Sequence, residues 1–148
     1  MASSPEETRT LVRHLQDAMN ARRLDLLDDL LTPDFVRHCQ ATPQLSITSR
    51  GQFRDFLEAD ADAFPDNTQT FTQIVVEGDR AAVWATYEGT QTGPMGPIPP
   101  SGKRARFDFA GVFRVEDGRI AEMWIVWDNV TVLSQLGHFR ADPGSGGK

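Results

Sequence analysis

Cysteine is nearly absent from this chain of 148 residues, because Cys39 is its one thiol. A single cysteine excludes an internal disulfide framework and a zinc site built from cysteines. Histidine is also scarce: His14, His38 and His138 lie far apart, without the close spacing of metal ligands. We therefore expect neither a disulfide nor a metal site.

Long apolar runs are missing too, since none approaches the ~18 residues of a membrane span. The first residues lack the basic and apolar segments of a signal peptide. Basic residues do not cluster beyond the Arg22-Arg23 pair, and the net charge is −6. We expect a soluble, cytoplasmic protein whose partner is neither nucleic acid nor a membrane.

The length fits one domain, which we place at residues 1–140, with a disordered Gly- and Pro-rich tail at 141–148. Helical patterns occupy the first half. Ser4 and Glu7 form a predicted capping box before a helix to about Asn20. A short helix at 24–31 and a third at 49–64 follow, the latter with Gln52 completing a second capping box after Ser49.

A period of two residues, typical of strands, dominates the second half. Strands are predicted at 70–77, 80–92, 103–115 and 119–127, after a short extended piece at 35–38. Asp117-Gly118 predicts a tight hairpin turn between the last two strands, and a short helix with Val130 and Leu133 follows. Helices followed by an antiparallel meander indicate an α+β fold, with the helices packed on one face of a curved sheet.

Several segments, in this order and spacing, resemble the SnoaL-like polyketide cyclases of the nuclear-transport-factor-two-like superfamily, which have a cystatin-like α+β cone. They span about residues 12–137 and include Pro33-Asp34-Phe35-Val36, Phe64-Pro65-Asp66, Glu77-Gly78-Asp79-Arg80, Ile98-Pro99-Pro100-Ser101-Gly102 and Phe113-Arg114-Val115-Glu116-Asp117-Gly118. The resemblance implies a homodimer or higher homo-oligomer, a deep apolar pocket, and neither metal nor cofactor.

The chain departs from that family at two positions of its last strand. The cyclases it resembles commonly carry a His and an Asp there, and the Asp is the acid/base for ring closure. Met123 and Ile125 occupy these positions here. The usual catalytic carboxylate is therefore absent from its usual place.

Asp60 is the candidate replacement. On the third helix it falls in the middle of an apolar stripe with Phe53, Phe56 and Phe64, whereas neighbouring acidic residues fall on the solvent side. A carboxylate facing an apolar cavity has a raised pKa, which suits acid/base chemistry near neutrality. The alternative is that the helix frays and Asp60 is solvated.

Three further polar residues are candidates for the catalytic site. His38 follows the second helix, where many SnoaL-like proteins have His or Asn beside the pocket; the alternative is a histidine bonded to the loop backbone. Tyr87 shares an apolar strand face, from which its hydroxyl could reach the cavity. Asp128 matches a recurrent family position, although it also fits a helix N-cap, the role we favour.

Apolar residues on the inward faces of helices and strands are the expected substrate-binding wall, and they equally fit an ordinary core. They are Met19, Phe53, Phe56, Phe109, Met123, Ile125 and Trp127.

These residues lead to a first hypothesis of an enzyme of the polyketide cyclase or isomerase type, acting on a hydrophobic carbonyl compound. Asp60 would be its acid/base, and His38 and Tyr87 would stabilise the enolate oxygen. Two alternatives stay open: an epoxide hydrolase or dehydratase on the same fold, and a small-molecule binding protein without catalysis.

Overall fold

A computed structural model describes residues 2–139, so the tail predicted at 141–148 lies outside the described residues. Helix α1 (Pro5–Asn20) begins at the predicted capping box, in which the Ser4 hydroxyl accepts the Glu7 N–H at 3.1 Å and the Glu7 carboxylate accepts the Ser4 N–H at 2.8 Å. A 3-10 turn (Leu24–Leu26) leads into the one-turn helix α2 (Leu27–Leu30).

Helix α3 (Arg50–Ala63) begins at Ser49, whose hydroxyl accepts the Gln52 N–H at 3.1 Å. The Gln52 side chain, however, accepts the N–H of Thr48 at 2.7 Å and not that of Ser49. The predicted bond to the Ser49 hydroxyl is therefore confirmed, and the predicted return bond from the Ser49 N–H to the Gln52 side chain is wrong. Helix α4 (Asn129–Gln135) closes the described chain.

Within the described residues, five strands form one sheet in the order β1-β5-β4-β3-β2. Their bounds are Leu31–Cys39 for β1, Thr68–Glu77 for β2, Arg80–Thr90 for β3, Arg104–Glu116 for β4 and Arg119–Val126 for β5. Strands β2 to β5 form the predicted antiparallel meander, whereas β1 pairs in parallel with β5. The α+β fold is confirmed, with a sheet that is mixed at one edge.

The start of β1 is the main difference from the predicted elements. We placed a helix through Leu31 and an extended piece from Phe35, but the strand already begins at Leu31. Pro33 has no N–H to donate, and such a residue is tolerated because β1 is an edge strand. The Asp117-Gly118 turn is as predicted, with φ angles of 51° and 81°.

One face of the sheet, which we call the inner face, packs against α1 and α3 and holds the core. Its fully buried members include Leu15 of α1, Phe53 of α3 and Phe71, Phe113 and Ile120 of the strands. No helix among residues 2–139 is both long and apolar enough to cross a bilayer.

The opposite, outer face of the sheet carries exposed apolar side chains. Trp84 is 47% exposed and Val126 is 51% exposed. The homo-oligomer expected from the sequence stays a prediction.

Candidate active site

Asp60 lies in the last turn of α3, on the stripe that packs against the inner face. Its Oδ2 accepts the Tyr87 hydroxyl at 2.9 Å, and the Asn67 side-chain amide lies 3.4 Å from the same oxygen. The stripe positions Phe53 and Leu57 are buried, as helical periodicity predicts. The frayed, solvated alternative for Asp60 is therefore wrong.

The two carboxylate oxygens of Asp60 have different surroundings. Both neighbouring donors, Tyr87 and Asn67, approach Oδ2. Within residues 2–139 no group hydrogen-bonds Oδ1. One oxygen is thus anchored by two donors, and the other has no hydrogen-bond partner among these residues.

Burial raises the pKa of Asp60 to about 6, because the apolar surroundings disfavour its charged form. The hydrogen bond from Tyr87 and the positive charges of Arg22 and Arg37 oppose that rise. Asp60 can therefore both accept and return a proton near neutral pH.

Tyr87 reaches Asp60 from the inner face of β3. Its ring stacks on Phe107 with centroids 5.1 Å apart and meets the edge of Phe64 at 5.7 Å. Burial, followed by the neighbouring Asp60 charge, raises the pKa of the Tyr87 hydroxyl. The hydroxyl therefore stays protonated and donates a hydrogen bond to Asp60.

Asn67 is held in place by the segment between α3 and β2. Its amide also donates to the Phe64 carbonyl at 2.9 Å, and Arg22 donates to the Asn67 carbonyl at 3.1 Å. Gly89 on β3 permits this approach, since a Cβ there would lie 3.1 Å from the Asn67 Cβ and 3.2 Å from the Phe64 ring. The backbone therefore fixes the second donor to Asp60.

Arg37 is the charged inner-face residue that the sequence reasoning missed. Strand β1 brings Phe35 and Arg37 to the inner face, and Arg37 is 8% exposed. Its guanidinium carbon lies 4.3 Å from the ring centroid of Phe56. The signal was available, because residues two apart on a strand share a face and Phe35 is plainly a core residue.

His38 consequently points the other way, and the prediction that it lies beside the pocket is wrong. Its side chain is 45% exposed on the outer face, where Nε2 lies 2.6 Å from Glu122 Oε2 and the ring stacks on Trp124 at 5.3 Å. The alternative of a bond to the loop backbone is also wrong, since its partner is a side chain. His38 was chosen from its position in the family without considering strand alternation. The inward-facing residue is its neighbour Arg37.

Asp128 is the N-cap of α4, the role favoured from the sequence. Its Oδ1 accepts the Val130 N–H and its Oδ2 accepts the Thr131 hydroxyl, both at 2.9 Å. The bond from Thr131, followed by that from Val130, lowers its pKa. Asp128 is exposed and does not contact the Asp60 group, so the structure does not bring these two candidates together.

The predicted wall residues all belong to the core or pack against it. Five are buried, namely Met19, Phe53, Phe109, Met123 and Ile125, each at most 9% exposed. Phe56 and Trp127 are half-buried at its margin. Contact of these residues with a substrate stays a prediction.

Two cavities open at the surface away from Asp60. One of about 320 Å³ lies along α1 between Glu6 and His14, and one of about 300 Å³ lies beside Phe107 and Asp128. Phe107 lines the second cavity, and its ring also stacks on Tyr87. No cluster of three or more His, Cys, Asp or Glu that could hold a metal ion occurs in the described chain.

The fold and site together define a class: a small α+β cone with a desolvated carboxylate of raised pKa on its helix-covered side. Residues 9–136 match the SnoaL-like polyketide cyclase family, and the chain belongs to that family. No match was found among curated protein sequences.

Solved structures give the same fold. TsrD from Streptomyces laurentii is 28% identical, with a TM-score of 0.83 over 93% of this chain and 99% of that one. IdmH from Streptomyces antibioticus, a proposed polyketide cyclase, is 32% identical, with a TM-score of 0.76 over 88% and 98%. AclR from Streptomyces galilaeus, a proposed hydroxylase, is 26% identical, with a TM-score of 0.79 over 93% and 100%. Because a cyclase and a hydroxylase are proposed on one fold, the reaction must be argued from the site.

Proposed function

We propose that this protein catalyses acid/base chemistry of the polyketide cyclase or isomerase type on a hydrophobic carbonyl compound, with Asp60 as the base. The observation that carries the proposal is the asymmetry of the Asp60 carboxylate. Oδ2 is held by Tyr87 at 2.9 Å, whereas no group within residues 2–139 hydrogen-bonds Oδ1.

The reaction begins when Asp60 Oδ1 removes a proton from carbon next to a carbonyl group. The electrons of the C–H bond form an enolate, whose carbon then attacks a second carbonyl of the same molecule. Protonated Asp60 returns its proton to the resulting alkoxide or, in an isomerase, to a different carbon. A pKa of about 6 suits both directions of transfer near neutral pH.

Tyr87 has a narrower role here than the sequence suggested. Its one O–H is donated to Asp60, so it positions the base and is not free to bind the enolate oxygen. The apolar side chains around the site, including Phe56, Met123 and Ile125, would fold the substrate so that its reacting ends meet. Such positioning contributes up to ~7–11 kcal/mol in well-oriented systems.

Deuterium exchange tests the base directly, without knowledge of the natural product. We would incubate a bicyclic apolar ketone, 2-tetralone, with the protein in D₂O and follow loss of the α-proton signals by NMR. Asp60→Asn should lower the enzyme-catalysed rate by about 10²–10⁴-fold. Asp62→Asn is the matched control, since Asp62 lies on the same helix and is exposed.

A binding protein without catalysis is the second candidate, favoured by the uncharged Met123 and Ile125 on β5. It predicts saturable binding of the ketone with no exchange above the buffer rate. If Asp60→Asn exchanges as fast as the wild type, another base is at work and the proposed role of Asp60 is lost.

A further inference from the structure

Arg37 is a buried cation that forms no ion pair within residues 2–139. It lies between Phe35 and Cys39 on the inner face of β1, and it is 8% exposed. Its register partner on β5 is Met123, and that of Cys39 is Ile125, so neither partner carries a charge. Burial accordingly lowers the pKa of the guanidinium.

The hydrogen bonds of Arg37 are few for a guanidinium, which has five N–H donors. One oxygen partner is present within residues 2–139: Nη1 donates to the Thr42 hydroxyl at 3.1 Å. The remaining contacts are the faces of Phe56 at 4.3 Å and Trp127 at 5.7 Å, together with the Cys39 thiol. These neighbours hold a cation but leave most of its donors unused.

Arg37 lies against the stripe of α3 that carries Asp60. Phe56, which lies against the guanidinium, is one helical turn before Asp60 on the same face of α3. The charges of Arg37 and Asp60 act on each other, yet the two groups form no ion pair. Oppositely charged groups held apart can place a molecule between them.

Arg37 is also within reach from outside. The side chains that cover it, Phe56, Trp127, Cys39 and Thr42, are each half-buried. The guanidinium therefore lies one side chain beneath the surface. A planar apolar molecule that displaces this cover would reach the guanidinium.

We propose that Arg37 binds a negatively charged oxygen of the substrate, so that the substrates of this site are apolar carbonyl compounds bearing a carboxylate or an enolate. The proposal rests on the proposed function and names its substrate class. When Asp60 takes a proton from carbon, the C–H electrons move to the carbonyl oxygen, and the negative charge passes from Asp60 to that oxygen. A guanidinium opposite the base stabilises this charge, and no other reactant is needed.

Binding measurements with inert probes test the proposal. Isothermal titration calorimetry at about pH 8, where the acidic probes are ionised, would compare 2-naphthoate with its neutral analogue 2-naphthamide and with the enolate of 1,3-indandione. The wild type should bind at least one anion about tenfold more tightly than the amide, a difference of about 1.4 kcal/mol. The preferred anion identifies a carboxylate or an enolate as the natural group.

Arg37→Met should abolish the preference for the anion, and Arg37→Lys should keep part of it, since lysine retains the charge without the planar fork. Arg54→Met is the matched control, because Arg54 pairs with Asp28 on the outer side of α3 and should leave the preference unchanged. Thermal unfolding shows whether each variant is folded. A wild type that does not prefer either anion, or a folded Arg37→Met that keeps the preference, overturns the proposal.

This test is independent of the proposed base. Asp60→Asn removes a nearby negative charge, so it should bind the anions as tightly as the wild type or more tightly, while losing deuterium exchange. If Arg37→Met lost the anion preference while Asp60→Asn exchanged normally, the anion site would be supported and only the role of Asp60 would be refuted.

Discussion

One carboxylate lies on α3 against the inner face of the sheet and another lies on the outer face of β5, and their pKa values are shifted in opposite directions. On the inner face, Asp60 accepts from Tyr87 and Asn67, and its pKa is raised to about 6. On the outer face, Glu122 contacts His38 at 2.6 Å and accepts from Arg114 at 3.0 Å. These two bonds lower its pKa.

The comparison shows that the number of hydrogen bonds does not decide whether a carboxylate is reactive. Glu122 touches a guanidinium directly and retains access to water, so its charge is satisfied. Asp60 is bonded by neutral donors, while its nearest cations, Arg22 and Arg37, act from a distance. Desolvation without a contacting cation therefore makes the inner carboxylate a candidate base and leaves the outer one structural.

The largest effect expected from this difference is on stability. The contributions of Asp60 and Glu122 to the free energy of unfolding should change in opposite directions with pH. The pKa of Asp60 is higher in the folded protein than the ordinary value of 3.8. Its contribution to stability is present below pH 3.8 and is lost as the pH rises through about 6. As the pH rises from below 3.8 to above about 6, Asp60→Asn should gain about 2–3 kcal/mol of stability relative to the wild type, measured by urea unfolding.

Glu122→Gln is the counterpart on the outer face. Because the folded pKa of Glu122 is lowered from 4.5, its stabilising contribution is present above that value and is lost in acid. This variant should thus be destabilised near neutrality and approach the wild type as the pH falls below 4.5. If both variants changed in the same direction with pH, the contrast between the two faces would be refuted.

Much of this arrangement could be predicted from the sequence because helical and strand periods are local properties. The apolar stripe of α3 placed Asp60 inward, and alternation along β3 placed Tyr87 opposite it. Their direct hydrogen bond depends on how far α3 stands from the sheet. Close approaches such as that of Gly89 to Asn67 belong to the tertiary packing, which no local pattern reveals.

Strand β1 shows where the sequence reasoning failed. Its pairing with β5 is parallel and joins residues about 85 positions apart, such as His38 and Trp124, so no turn signal announces it. The sequence therefore predicted a helix end followed by a short extended piece. His38 was then chosen from its position in the family and not from the alternation of strand residues. Starting the strand at Leu31 and counting from Phe35 would have selected Arg37 and excluded His38.

A smaller effect is expected from Tyr87→Phe, which removes the stronger donor to Asp60. The ionised carboxylate then keeps only the Asn67 amide at 3.4 Å, so the protein should lose about 1–2 kcal/mol of stability near pH 8. Because the Tyr87 bond lowers the pKa of Asp60, its removal should also move that pKa above about 6. NMR titration of the carboxyl carbon measures this change, and an unchanged pKa would refute the positioning role of Tyr87.

The smallest effect is expected from His38→Gln on the outer face. Arg114 still donates to Glu122 at 3.0 Å in that variant, and exposed pairs contribute at most about 1 kcal/mol. Stability should therefore fall by less than about 1 kcal/mol, and deuterium exchange on 2-tetralone should stay within about twofold of the wild-type rate. A loss of exchange comparable to that of Asp60→Asn, with an intact fold by circular dichroism, would place the catalytic centre on the outer face. Such a result would remove the distinction between the two carboxylates, because it would make the contacting cation, and not desolvation, the feature that activates the acid.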